Sequence, residues 1–147
     1  MGYTNFWKSL TKTPKQEILS ETFRAEIRKI VDVANKNGIK CHFEESPAYI
    51  GVLDDEEHSE SFYLDTSANY RGEYYGFSFF CFCKTFGEPF DAVVKCCIVA
   101  AIKNNIFEPI LSFDGNKSDE EYEKALMLAK QVGSEFEEIF KSIPVED

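Results

Sequence analysis

The chain is poor in several groups on which site chemistry depends. Its 147 residues include two histidines, one tryptophan, two methionines and three arginines. So few arginines argue against a protein that grips phosphates or carboxylates, for which the guanidinium fork is the preferred partner. No glycine-rich phosphate loop and no G-x-S-x-G elbow occurs, so the familiar nucleotide-binding and hydrolase signatures are missing. Basic residues are in deficit: 16 Lys and Arg stand against 26 Asp and Glu, for a formal charge of −10 and a pI near 4.7. That balance excludes direct DNA or RNA binding through a basic face, and no nucleic-acid partner is expected. The longest apolar run, Cys96 to Ile102, has seven residues. A membrane helix needs roughly 20. Residues Met1–Trp7 lack the apolar run of a signal peptide, and Phe6 stands where myristoylation requires Ser or Thr. The expectation is a cytosolic, cytoplasmic protein with no membrane partner.

Cysteine is better represented, with five residues. An odd count leaves at least one unpaired. Cys81 and Cys83 are two apart and Cys96 and Cys97 adjacent, which is poor geometry for a bridge within either pair. All but Cys41 lie in apolar stretches, where free cysteine behaves as a small hydrophobe, and a reducing compartment follows. These spacings also miss those of a zinc pair, and no histidine is near. Thiol catalysis needs a Cys–His pair; Cys41 and His42 are adjacent and point to opposite faces of a strand. The loop Asp114–Asp119 has oxygen side chains at alternating positions. Counted from Asp114, however, the sixth and twelfth positions hold Asp119 and Ala125 instead of the Gly and acid of an EF-hand. No metal, cofactor or catalytic residue is assigned.

What is present is a core. Hydrophobic residues make up 44% and aromatics 15%, with 14 Phe and seven Tyr. That is too much for a disordered acidic tail, and the length suits one domain spanning 1–147. Thr13-Pro14-Lys15-Gln16 is a capping box with proline at the first helical position. Ile18, Leu19, Phe23, Ile27, Ile30, Val31 and Ala34 then recur at helical spacing, and Gly38 ends the run, so a helix spans 14–37. Ile39, Cys41 and Phe43 alternate with polar residues, as do Phe62 and Leu64 with Tyr63 and Asp65, the pattern of half-buried strands. The run Glu73–Thr85 is apolar on both faces, as in a covered central strand, and strands are expected across 39–85. Residues 89–104 read as a helix apolar nearly all round, hence interior. A short strand follows at 106–113, irregular because of Pro109. Ser118-Asp119-Glu120-Glu121 caps a last amphipathic helix over 118–142. The predicted fold class is α+β: an antiparallel β-meander of three to five strands with a long N-terminal helix, a buried central helix and a C-terminal amphipathic helix. Residues 1–12 form an arm, whose Phe6, Trp7 and Leu10 either pack on a neighbour or fold back on the core.

Charge is unevenly laid out. Residues 1–40 carry eight basic and four acidic groups, a net of +4; residues 41–80 carry one basic and nine acidic groups, a net of −8. Acids on neighbouring strands and their turn converge, so their fields add and favour association with a basic partner. The candidate partner-binding residues are Glu44, Glu45, Asp54, Asp55, Glu56, Glu57, Glu60 and Asp65, with Tyr63 and Tyr70 as aromatic anchors. Tyr49 and Tyr74 lie in the same block. Tyrosine offers apolar area and a polar tip, and is enriched at binding hot spots.

The stretch Glu88-Pro89-Phe90-Asp91-Ala92-Val93-Val94, followed by Ile110-Leu111-Ser112-Phe113-Asp114-Gly115 and an acidic helix, resembles a pattern seen in uncharacterised bacterial proteins. At class level the whole profile is similar to the small acidic immunity proteins of bacterial contact-dependent inhibition and polymorphic toxin systems. That resemblance implies a non-enzymatic, antitoxin-like inhibitor whose partner is a basic toxin domain, such as a nuclease, with the acidic block occluding its active site. Two alternatives stand beside it. One is a small metal-dependent or carboxylate-based enzyme that uses converging acids with His42 or His58. The other is an oligomeric scaffold or regulatory subunit held by the N-terminal arm.

Overall fold

The computed structural model describes residues 3–8, 20–47, 49–65, 80–85 and 87–146. It is an α+β molecule. Its elements run β1 (Thr4–Lys8), α1 (Glu21–Lys36), β2 (Cys41–Glu45), β3 (Tyr49–Asp54), β4 (Phe62–Asp65), β5 (Phe80–Lys84), α2 (Phe90–Lys103), β6 (Ser112–Phe113), α3 (Glu120–Val132) and α4 (Ser134–Ser142).

Helix α1 begins where Ser20 takes an extended backbone and its hydroxyl accepts the Phe23 N–H at 3.2 Å. The extended Ser20 interrupts the helix expected over 14–37, so α1 starts at Glu21, and the capping box expected at residues 13–16 lies outside the described residues. Phe23, Ile27, Ile30, Val31 and Ala34 form one buried stripe. At the other end the Ile39 N–H reaches back to the Ala34 carbonyl at 3.0 Å, while Gly38 sits at φ +82°. A residue with a Cβ is disfavoured at that left-handed turn, which is why glycine closes the helix. Helix α2 is the centre of the fold: every residue from Phe90 to Ile102 is buried, and α1, α3, α4 and β1 pack around it.

The strands form two antiparallel three-stranded sheets, ordered β2-β3-β4 and β5-β1-β6. The first is the expected meander. The second departs from expectation in two ways. The N-terminal arm is a central strand, β1, pairing Thr4 with Lys84 and Asn5 with both Cys83 and Phe113. Strand β5 therefore joins that sheet and not the meander. Residues 73–79 of its expected run, and Leu10 of the arm, lie outside the described residues. The physical reason is Trp7, only 6% exposed, which stacks on Phe107 at 5.6 Å and meets Phe62 of β4 at 5.2 Å. The indole is buried by crossing from one sheet to the other.

Short hydrogen bonds around Ser59 and Glu60 hold the sheets together. The Glu60 N–H donates to the Lys84 carbonyl at 2.8 Å, and the Lys84 N–H to the Glu60 carboxylate at 2.9 Å. The Ser59 hydroxyl donates to the Thr85 carbonyl at 3.0 Å.

The C-terminal helix also differs. The chain is extended at Gly133, and α4 restarts at Ser134. Glycine is the weakest helix former after proline, and the break lets Phe136 and Phe140 enter the core. At the start of α3, the Asp119 carboxylate accepts the Asn116 N–H and makes no bond to the helix, so the expected capping box is not formed. The strand expected over 106–113 shortens to Ser112–Phe113, with a parallel bridge from Leu111 to Val145.

Candidate functional site

The register of β2-β3-β4 sorts the acidic block into groups with different tasks. Phe43, Val52 and Phe62 are cross-strand neighbours, as are Ile50 and Leu64, and these positions turn to the core. The alternate positions face outward: His42 opposite Leu53, Glu44 opposite Gly51 and Gly51 opposite Tyr63, and Tyr49 opposite Asp65. The side chain of Asp65 is not among those described.

On this outward face Tyr63 is 48% exposed. Its ring lies over Gly51 so closely that a Cβ there would sit 2.6 Å from Tyr63 Cε1. The Tyr49 ring is 6.0 Å from that of Tyr63, inclined by 58°. The Tyr49 hydroxyl donates to Glu44 Oε1 at 3.1 Å, and this bond holds the phenol in its neutral form, raising its pKa. Glu44 Oε2 is 3.4 Å from His42 Nε2, and His42 Nδ1 contacts the Asp55 carboxylate. The hydrogen bond with Asp55, aided by Glu44, raises the His42 pKa and favours the imidazolium.

The other acids are placed differently. Glu45 turns toward α1, where it pairs with Arg24 at 2.7 Å and Arg28 at 2.9 Å. Desolvation pushes its pKa up, but the two guanidinium hydrogen bonds outweigh that and hold it below the usual range. Asp54 organises the β3–β4 turn, its carboxylate accepting the N–H groups of Glu56, His58 and Ser59, each at 3.0 Å. Glu60 belongs to the link between the sheets. Glu56 and Glu57 are exposed at the turn, Glu57 with φ +57°. Tyr70 and Tyr74 lie outside the described residues. The structure thus places Glu44 and Tyr63 on either side of Gly51 and links Glu44 to Asp55 through His42, while Glu45, Asp54 and Glu60 are engaged by α1, by their own turn and by the second sheet. Reading the sequence block as a unit missed the part played by Gly51 and Leu53 in this face. The signal was the alternation itself, which already put Tyr63 opposite in sense to Phe62 and Leu64.

A second cluster was not foreseen. Asp91 and Lys95, one turn apart on α2, are both buried and paired at 2.5 Å. The other Asp91 oxygen accepts from Asn5 Nδ2 at 2.6 Å and Thr85 Oγ1 at 2.7 Å. The Lys95 ammonium lies 4.6 Å from the Tyr3 ring centroid and 4.3 Å from that of Phe113. Burial pulls the Lys95 pKa down, and Asp91 opposes that pull. This pair ties β1, β5 and α2 together without reaching solvent.

Cys41, Cys83, Cys96 and Cys97 are buried and free, and burial raises the pKa of all four thiols, the opposite of what a nucleophile requires. His58 approaches Glu88 at 3.7 Å. No group of three or more His, Cys, Asp or Glu side chains among the described residues is arranged to hold a metal ion. Among those residues no helix is long and apolar enough to cross a membrane. A groove of about 270 Å³ between α1, α2 and α3 is lined by Ile39, Pro89, Ala92, Met127 and Leu128 with Asn37, Lys124 and Gln131. It contains no acid, thiol or imidazole. No known protein family, curated protein or solved structure matches the chain.

Proposed function

We propose that this chain is a non-enzymatic protein-binding domain of the immunity type, acting in the bacterial cytoplasm. It neutralises a basic, nuclease-like toxin domain by covering the cleft that would hold nucleic acid. The observation that supports this reading is the outward face of β2-β3-β4. There Glu44, Tyr49 and Tyr63 share one face, His42 joins Glu44 to Asp55 at the start of the acidic turn Asp55–Glu57, and no outward position of the three strands is a lysine or arginine. Carboxylates take the place of phosphates and the tyrosines supply contact area. Such a face acts mainly on the association rate.

The test is co-expression with the product of the adjacent gene, followed by association kinetics of the purified pair. Rescue of growth is expected. So is an on-rate that falls with added salt and drops about tenfold or more when Asp55, Glu56 and Glu57 are all changed to lysine. A neighbour that is harmless alone, or an on-rate indifferent to both salt and charge reversal, would overturn the proposal.

A further inference from the structure

We infer that the outward face of β2-β3-β4 recognises an arginine side chain of its partner, stacked on Tyr63 and paired with Glu44. This rests on the protein-binding reading above and names the chemistry of the contact. Tyr63 is an outward residue of β4, 48% exposed, and the Cδ1–Cε1 edge of its ring lies over Gly51, which leaves the intervening position empty. A half-exposed aromatic ring is thereby held over the central strand of the sheet. Glu44 lies on the far side of Gly51 in register with it, two strand spacings from the Tyr63 backbone, or about 10 Å. The ring, leaning over Gly51, spans much of that gap. Tyr49 holds one Glu44 oxygen and His42 Nε2 lies 3.4 Å from the other, which fixes the carboxylate beside the aromatic pair; each oxygen keeps a further lone pair for a donor.

A group that uses both features has to be cationic, planar and able to donate two parallel hydrogen bonds. Guanidinium meets all three requirements; ammonium is a point charge and meets only the first. The acids at Asp55, Glu56 and Glu57 lie at the end of the same sheet and supply the field that draws such a group in. Gly51 accordingly matters for the contact: any side chain there would lift the Tyr63 ring away from the sheet.

The experiment uses the full chain, labelled with nitrogen-15, at low ionic strength. It is titrated with the acetylated, amidated pentapeptide Gly-Arg-Gly-Arg-Gly and with its lysine counterpart. The expected result is saturable shifts at Glu44, Gly51 and Tyr63, with the arginine peptide bound roughly fivefold more tightly than the lysine peptide. Tyr63→Ala should abolish that preference, Tyr63→Phe should keep it, and the double change Glu56→Gln, Glu57→Gln should weaken both peptides alike. Equal affinity for the two peptides, shifts confined to residues 54–57, or a preference that survives Tyr63→Ala would overturn the arginine contact and leave the acidic docking face standing. No shift anywhere in β2-β3-β4 or its turn with either peptide would overturn both.

Discussion

The buried pair on α2 allows a quantitative test of how the fold is held together. Lys95 is fully buried and the Asp91 side chain is 3% exposed, so neither charge is relieved by water. Removing one member of such a pair typically costs about 3–5 kcal/mol, because the other is left charged and unmatched. Two structural details place both single variants toward the low end. In Lys95→Met, Asp91 keeps its hydrogen bonds from Asn5 and Thr85 and sits in the first turn of α2, where the helix dipole favours an anion. In Asp91→Asn, the ammonium keeps the faces of Tyr3 and Phe113, and the amide oxygen still accepts from Asn5 and Thr85. Each single change should therefore cost about 3 kcal/mol, a fall in Tm of roughly 6–12 °C for a chain of this size. The double variant carries no buried charge, keeps both amide-oxygen bonds and loses little volume. It should cost about 3 kcal/mol or less in total, so that the coupling is about 3 kcal/mol or more. Urea unfolding followed by far-ultraviolet circular dichroism measures all four proteins, and singles should move the midpoint by roughly 1.5 M if m is about 2 kcal/mol/M. A double variant whose loss equals the sum of the singles within ~0.5 kcal/mol would refute the argument, since the two groups would then act independently.

Three further outcomes follow from the same structure. Cys41 and Cys83 are pushed up to about 12 by burial, and Cys96 and Cys97 are raised too, so the native thiols stay protonated where the unfolded ones ionise. Their stability contribution is complete below the unfolded value and lost as pH rises toward the folded one, at no more than about 1.4 kcal/mol per thiol per pH unit. Urea midpoints should thus fall above pH ~9, less steeply in Cys97→Ala; a flat profile to pH ~10 would contradict this. The raised His42 pKa makes the imidazolium–Asp55 contact a stabilising feature at pH below about 6.5 that fades as pH rises through the folded value. Imidazole proton shifts should report a midpoint above the ordinary value, and His42→Asn should remove this component of the pH dependence; a midpoint at or below it would refute the reading. Gly51→Ala would place a Cβ 2.6 Å from the Tyr63 ring, but that ring is exposed and able to swing away. Stability should change by no more than about 1 kcal/mol, while the arginine preference is lost. A cooperative loss of fold would show that Tyr63 is held more rigidly than its exposure implies.

Much of the local structure was legible because it depends on neighbours along the chain. Helical spacing over 21–36 and 89–104, the turn at Gly38 and the alternation of Phe62, Tyr63 and Leu64 each rest on steric periods of a few residues. The α+β class followed from their order. The same information located the acidic block and indicated which way Tyr63 points.

Other features required the folded chain. Strand β1 pairs with β5 across 80 residues between Thr4 and Lys84, and no local pattern encodes that distance. The pairing is favoured because Trp7 can be buried only where Phe62 and Phe107 meet it. Tertiary structure likewise divided the acidic block. Glu45 faces two arginines of α1, Asp54 closes its own turn, Glu60 clips one sheet to the other and Glu44 and Asp55 flank His42, while Glu56 and Glu57 are exposed at the turn. A count of charges treats all of these acids alike. Their fields do not add equally, because a carboxylate answered by a guanidinium or by backbone N–H groups has little left to offer a partner, and only the folded arrangement determines which acids are answered within the chain.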